Sequence, residues 1–442
     1  MDVGIIGAGP TGLFLGMALV RRGHRVVAVD RDPGPAEDGS WERKGVMQFH
    51  HAHGFRPPVT AALTEEVPEA YAAWLALGAE PVTVPAPTGD QVLIGTKSRR
   101  ATFERALRSV AAREPGLDIR CGHVDGVVAA EGRATGLVVD GLTLPCDLVL
   151  DASGRAGRAT RDRRERPTTG GSCGVAYVDR QYQLLPGAGP GPLLNPIVWA
   201  AEPDGYLVLL FTHEHGIFSV LIIRPTHTRE LVGLARDPAF DAAAAAIPGL
   251  ADWTDPQRSR PITSVLPGGN LMNWYRSQRG PDGRLALPGL LFIGDSVCTT
   301  TPIFGRGITT SLMQARALLA LLDGGTLDPV ELGEEFDAWC EATMRPWVAD
   351  HVAMDRATQE RWSGRDVDLD ARLPSDLLLS AVDGPLRHLR DIALPYLAME
   401  QGPASPDPLQ DPVRDLLSTG WRPPLDPGPS RAELAAIVAA AA

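Results

Sequence analysis

Two short stretches of the chain hold residue types whose spacing suits chemistry. The first is Gly7-Ala8-Gly9-Pro10-Thr11-Gly12. It lies between an apolar run, Val3 to Ile6, and a segment where Leu13, Met17 and Val20 recur at helical spacing as far as Arg22. In a strand–turn–helix of this kind the first glycine permits the tight turn and the second lets a pyrophosphate approach the backbone. The third lets the helix pack closely on the strand. The phosphates then meet the positive end of a helix that begins near Thr11. A second strand, Arg25 to Val29, runs into Asp30, where a carboxylate can accept from both ribose hydroxyls, and Arg31 follows it. This pattern describes a dinucleotide site and fits NAD and FAD alike.

The second stretch separates them. Leu290-Leu291-Phe292-Ile293 reads as a buried strand closed by Gly294-Asp295, and Pro302, Gly305 and Gly307 precede a helix from Ile308. This resembles the second FAD fingerprint of the glutathione-reductase-like flavoproteins, in particular their aromatic hydroxylase branch. The resemblance implies that Asp295 binds the ribityl chain and that the loop from Pro302 to Ile308 faces the pyrimidine edge of the flavin. Backbone N–H groups and a helix dipole there stabilise the negative charge of reduced flavin.

Other segments narrow the resemblance. Arg43-Lys44-Gly45-Val46-Met47-Gln48 with His51-Ala52-His53 is similar to a segment of a bacterial flavin monooxygenase group that includes the polyether olefin epoxidases. Arg100-Ala101-Thr102-Phe103-Glu104 resembles the helix start with which hydroxylases place an arginine on the FAD phosphates. Val124 falls where the family's backbone meets the adenine. One departure concerns Asp151-Ala152-Ser153-Gly154-Arg155, where Ser153 replaces the aspartate of the hydroxylases' Asp-Gly pair. Electrons are therefore expected either from NADH or NADPH directly or from a partner flavin reductase. A purely turn-forming role for Asp151 to Arg158 weighs equally, since glycine and carboxylates are common in turns. No two tryptophans are separated by a single residue, so the WxWxIP segment of flavin-dependent halogenases is absent.

Positioning these residues takes an α/β fold. The reading is a three-layer, Rossmann-like FAD-binding domain on a parallel sheet, built from residues 1–165 and 285–325, with 55–95 contributing to the substrate side. Residues 166–284, where apolar runs alternate with turns, form a mixed or antiparallel β-sheet substrate domain, and 326–442 form a helical C-terminal region. Tyr177, Trp199, Phe211 and Phe218 are candidates as a group for a substrate pocket, with core packing the plainer role. His50, His51 and His53 lack nearby Cys or a placed carboxylate, so no metal site is expected. His51 is the one candidate proton donor beside the flavin. Cys298 is read as a small apolar filler.

The 442 residues carry a formal net charge of -12, which argues against nucleic-acid partners, since such binding rests on clustered Lys and Arg. The short basic runs Lys97–Arg100 and Arg161–Arg166 suit an anionic cofactor better. Five widely spaced cysteines suggest neither disulfides nor zinc. No apolar run reaches the roughly 20 residues of a membrane span, and the chain reads as cytoplasmic. The expected function is an FAD-dependent monooxygenase that inserts one oxygen of O2, by hydroxylation or epoxidation, into a small apolar molecule of secondary metabolism. A flavin dehydrogenase or reductase, a halogenase-like enzyme and a non-catalytic FAD-binding protein are the alternatives.

Overall fold

Every residue from Val3 to Ile6 is buried because β1 (Asp2–Ile6) is flanked on both sides and covered on both faces. The computed structural model describes residues 1–442 except 44, 86–89, 165, 166, 168 and 442. Lys44, Glu165, Arg166 and Ala442 thus lie outside the described residues. Helix α1 (Pro10–Arg21) follows β1 and returns the chain to β2 (Arg25–Asp30), which pairs in parallel with β1. The helical spacing over Thr60–Leu77 resolves into two helices, α2 (Pro57–Glu66) and α3 (Pro68–Ala76). Pro68 causes the break, because it lacks an N–H and disfavours helical geometry at Val67. The two helices bury Val59, Leu63 and Trp74 in the same core as β1 and α1.

An antiparallel pair, β3 (Glu80–Pro85) and β4 (Gln91–Lys97), leads to α4 (Arg100–Ala111), whose Phe103, Leu107 and Val110 face the same core. Strand β5 (Leu117–Cys121) pairs with β2. Then β6 (Val124–Ala130), β7 (Arg133–Val139) and β8 (Leu142–Pro145) make a three-stranded antiparallel sheet, and β9 (Leu148–Asp151) returns to pair in parallel with β1.

After β10 (Thr169–Ser172) the chain builds a second sheet from β11 (Val175–Leu184), β12 (Val198–Ala201), β13 (Leu207–Thr212) and β14 (Ile217–Pro225). Helices α5 (Asp237–Ala246) and α6 (Leu250–Thr254) follow, then β15 (Ser259–Pro261), β16 (Leu266–Gly268) and β17 (Met272–Tyr275). The strand order is β12-β13-β14-β11-β15, with β16 also on β11. Period-two alternation sends successive side chains to opposite faces. Val178, Tyr182, Trp199 and Phe218 pack with Phe240 and Trp253 on the helix-covered face. Phe218 stacks on Tyr182 and meets Trp253 at 4.9 Å between ring centroids. Tyr177, Leu209, Phe211 and Ile223 turn to the other face, toward Ala52 and Ile303. The four aromatic candidates are therefore not a group. Trp199 and Phe218 are core residues behind the sheet, and only Tyr177 and Phe211 face the FAD-binding unit.

Strand β18 (Leu290–Phe292) pairs in parallel with β9 and completes the five-stranded sheet β18-β9-β1-β2-β5. The short β19 (Cys298–Thr299) joins β17, and α7 (Gly307–Asp323) packs on α1 and α2. Helix α8 (Pro329–Trp362) starts on Asp328, whose carboxylate accepts from the Val330 and Glu331 N–H groups. The last helices are α9 (Ser375–Asp383), α10 (Leu394–Leu397), α11 (Gln410–Ser418) and α12 (Arg431–Ala440). They do not form one unit. Leu377, Leu378, Val413 and Leu417 share a small core of their own, whereas Leu434 and Val438 of α12 return to the helix-covered face of the second sheet. Among the described residues no helix is long and apolar enough to cross a membrane.

Candidate functional site

The glycine turn after β1 distinguishes three roles. Gly7 has φ +99°, and a Cβ there would lie 2.8 Å from the Ala152 carbonyl oxygen. A Cβ on Gly12 would sit 1.9 Å from the Gly7 carbonyl oxygen, so helix and strand approach as closely as backbone allows. At Gly9 the same construction meets only the tip of Arg43, at 3.6 Å. The protein itself thus leaves Gly9 open in front of the α1 N-terminus, where Pro10 occupies the first turn and costs no hydrogen bond. Such an opening suits a phosphate group.

Charged side chains surround this opening. Asp30 accepts from the Ala8 N–H and from Arg43 Nη2, both at 2.8 Å. Arg43 also donates to Glu104, which in turn accepts from Arg100, each at 2.5 Å. Arg100 Nη1 lies 3.3 Å from His53 Nε2. The Gly122 N–H donates to the Asp30 carbonyl at 2.9 Å, bringing the start of β6 and buried Val124 to the same edge. Arg31 is exposed there. Sequence reasoning missed Glu104 as the hub, although its spacing of four from Arg100 on one helix face was a usable signal.

Helix α4, which carries Arg100, lacks a side-chain cap of its own. Glu214, from the turn between β13 and β14, supplies one by accepting from the Arg99 N–H at 2.8 Å and from Thr102 Oγ1 at 2.5 Å. Burial alone would raise the Glu214 carboxyl, but Arg99 and these hydrogen bonds hold it below its ordinary value. The second sheet thereby fixes the helix that presents Arg100. Nothing local in the sequence pairs Glu214 with residue 99.

The second fingerprint meets the first. Gly294 has φ +73°, and an added Cβ would lie 3.1 Å from Thr11 Oγ1 of α1 and 3.3 Å from Ser311 Oγ of α7. Asp295 is exposed at the end of β18. Desolvation by the surrounding protein raises its pKa, while Arg100 and Arg155 pull it down. The loop that follows is held at three points. The Thr301 N–H donates to Asn273 Oδ1 at 2.7 Å, and Asn273 donates to Asp355 at 2.7 Å. Arg56 donates to the Phe304 carbonyl at 3.1 Å. Gly305, at φ +62°, packs against Gly54.

Arg306, just before Gly307 and Ile308, is 3% exposed and was not anticipated from sequence. Its guanidinium pairs with Asp350 at 3.2 Å and lies 4.7 and 4.5 Å from the Trp347 and Tyr396 ring centroids. Asp350 also accepts from Ser375 and Tyr396, at 2.5 and 2.6 Å.

These residues fit FAD. The open Gly9 turn and Arg100 suit its phosphates, and the exposed Asp295 carboxylate suits the ribityl hydroxyls. The pinned loop and the start of α7 suit the ring's electron-rich edge. Asp295→Ala is expected to weaken FAD retention by about tenfold or more, consistent with loss of hydrogen bonds to a charged group. The apoprotein melting temperature should be unchanged. Unaltered flavin occupancy after dialysis would count against the ribityl role.

Three other groups of residues singled out from the sequence take up definite positions. His51 is 4% exposed, with Nδ1 2.6 Å from the Tyr177 hydroxyl. Burial pushes its pKa down to about 4, so it is neutral at pH 7 and not a cationic proton donor. The three histidines have separate partners: His50 meets Glu42, His51 meets Tyr177 and His53 meets Arg100. Asp151 is buried and accepts from the Ser153 backbone and hydroxyl and from Thr160, which closes the turn that follows β9.

Beside His51, fully buried Asp179 accepts from the Ala52 N–H at 2.6 Å, and its Oδ1 has no partner. Burial pushes its pKa up to about 8. The native chain therefore keeps a proton that the unfolded chain releases above about pH 4, and stability falls as pH rises from about 4 to about 8. In thermal melts of the apoprotein, the advantage of Asp179→Asn should grow across that window. A pH-independent difference would refute the assignment.

Residues 2–89 match the family model described as DAO, FAD dependent oxidoreductase. With the fold and the paired fingerprints, this defines the chain as an FAD-dependent oxidoreductase. Among curated proteins it is similar to 6-methylpretetramide 4-monooxygenase of Streptomyces rimosus, at 26% identity over 378 residues, covering 78% of this chain and 80% of the relative. Among solved structures it resembles the flavin-dependent brominase Bmp2, with TM-score 0.64, 14% identity, and coverage of 95% of this chain and 100% of that one. It also resembles pqsL, a probable FAD-dependent monooxygenase from Pseudomonas aeruginosa, with TM-score 0.58, 16% identity, and coverage of 82% and 98%. At these identities the structural likenesses speak for the fold.

Proposed function

We propose that the protein is a flavin-dependent monooxygenase that transfers one oxygen atom of O2 to a flat, largely apolar organic substrate, with hydroxylation favoured. The observation that carries this reading is the surface opposite the cofactor loop. Leu207, Leu209, Phe211 and Ile223 on the second sheet face Ile303 and Ala52, giving an apolar wall beside the pinned flavin loop. When bound, reduced FAD supplies the reaction with O2. The chain's own residues position and exclude water. Asp295, Arg100 and the Gly9 turn hold the cofactor, Arg56 and Asn273 hold the loop, and the apolar wall orients the substrate in a dry site. The similarity to an oxygenase named for a pretetramide supports a polycyclic aromatic substrate. The Arg43 to His53 segment supports kinship with the epoxidase-like group.

The test is to photoreduce the FAD-loaded enzyme without air, add substrate candidates with ¹⁸O₂, and examine products by mass spectrometry. One ¹⁸O per product is expected. Turnover under nitrogen with another electron acceptor would instead identify a dehydrogenase, and a strict requirement for chloride or bromide would identify halogenation. Parallel assays with NADH or NADPH, with and without a flavin reductase, define the electron source.

A further inference from the structure

Trp274 and Arg276 alternate with buried Asn273 and Tyr275 along β17 and its continuation, so both project from the opposite, half-open side. The Arg276 N–H donates to the Val297 carbonyl at 2.9 Å, which sets this residue beside the Asp295 turn. The guanidinium carbons of Arg276 and Arg155 lie 4.8 and 6.0 Å from the Trp274 ring centroid. Across the strand pair from Trp274 is Gly170, whose backbone packs directly against that of Asn273.

These two cations have no carboxylate in direct contact. Arg155 gives one N–H to the Asn270 carbonyl at 2.6 Å, Arg276 Nε has no partner, and neither forms an ion pair among the described residues. The nearby acids act on them only at longer range, Asp151 on Arg276 and Asp295 on Arg155. Other enclosed arginines are matched with acids, Arg43 with Asp30, Arg306 with Asp350 and Arg361 with Asp376, while Arg164 and Arg56 are held by backbone carbonyls. Burial, and then repulsion from Arg155, lower the pKa of Arg276 against the opposing pull of Asp151. Two like charges held together on one aromatic plate are costly unless an anion joins them.

The planar guanidinium fork matches phosphate oxygens, and the hydrogen bond to Val297 sets the pair beside the Asp295 turn of the proposed cofactor site. We propose that Arg155, Arg276 and Trp274 form a docking site for the phosphate group of a nucleotide electron carrier, either a reduced nicotinamide dinucleotide or free reduced flavin mononucleotide. The inference rests on the monooxygenase reading, which requires such a carrier.

The test is calorimetric titration of the FAD-loaded enzyme with NADP⁺, NAD⁺, FMN and inorganic pyrophosphate. At least one nucleotide should bind saturably, with pyrophosphate competing. Preference for a nicotinamide nucleotide identifies direct reduction, and preference for FMN identifies a diffusing flavin. The Arg155→Gln/Arg276→Gln double variant should bind that nucleotide about 30-fold more weakly, in line with loss of two charge-assisted contacts. Its FAD content and visible spectrum should be unchanged, and the Arg155→Lys/Arg276→Lys variant should recover part of the loss. Unchanged nucleotide affinity in the Gln variant, or no saturable binding of any probe to the parent at millimolar concentration, would overturn the site. The photoreduced ¹⁸O₂ reaction needs no carrier, so its outcome separately tests the monooxygenase reading.

Discussion

Gly9→Val is expected to yield a folded protein that stays colourless in excess FAD, whereas Gly12→Val should not fold. The two glycines are close in sequence but differ in what surrounds them. A Cβ on Gly12 would fall 1.9 Å from a backbone oxygen, and no side chain can move aside to relieve that. Separating α1 from β1 would disrupt the central packing, costing about 3 kcal/mol or more. A Cβ on Gly9 meets only the flexible end of Arg43. The apoprotein should therefore melt within a few degrees of its parent, while the valine side chain takes the position the pyrophosphate needs. FAD affinity should fall at least about 100-fold, equivalent to ~2.8 kcal/mol. Circular dichroism with flavin titration checks both expectations. A yellow Gly9→Val protein would refute the phosphate cradle.

Asp350→Leu should destabilise the chain by about 3–5 kcal/mol, because it leaves the Arg306 cation buried without its partner. The Ser375 and Tyr396 hydroxyls lose their acceptor at the same time. Asp350→Asn keeps an acceptor near these groups and should cost less, about 1–2 kcal/mol. Because Arg306 begins the turn into α7, both variants should also release FAD faster, in the same order. Urea unfolding and flavin-release kinetics are the measurements. A leucine variant within 1 kcal/mol of the parent would show that the aromatic rings alone hold Arg306.

Both glycine fingerprints were legible in the sequence because their requirements are local. A tight turn, a close backbone approach and a helix start are all specified within a few residues of Gly7 or Gly294. The parallel strands were legible as continuous apolar runs. What could not be read was pairing at a distance. Glu214 caps α4 and Asp350 neutralises Arg306, yet in each case the partners belong to different elements that only the tertiary fold brings together. The face of the second sheet was illegible for another reason. Both faces are apolar, so Tyr177 and Phe218 look equivalent until the helices that cover one face are placed. Pro68 was legible in principle, since a proline at that point predicts the break that divides α2 from α3.

The β18 strand completes the cofactor-binding sheet only after the whole second sheet has been made. During synthesis, residues before Leu290 emerge with β9 as an unpaired edge and without the Asp295 carboxylate. Non-local parallel pairing of this kind forms slowly and leaves strand edges open in the meantime. On the proposed cofactor roles of Asp295 and α7, loading of the prosthetic group waits until most of the polypeptide has left the ribosome, and yellow colour in a preparation then reports that biosynthesis ran past α7.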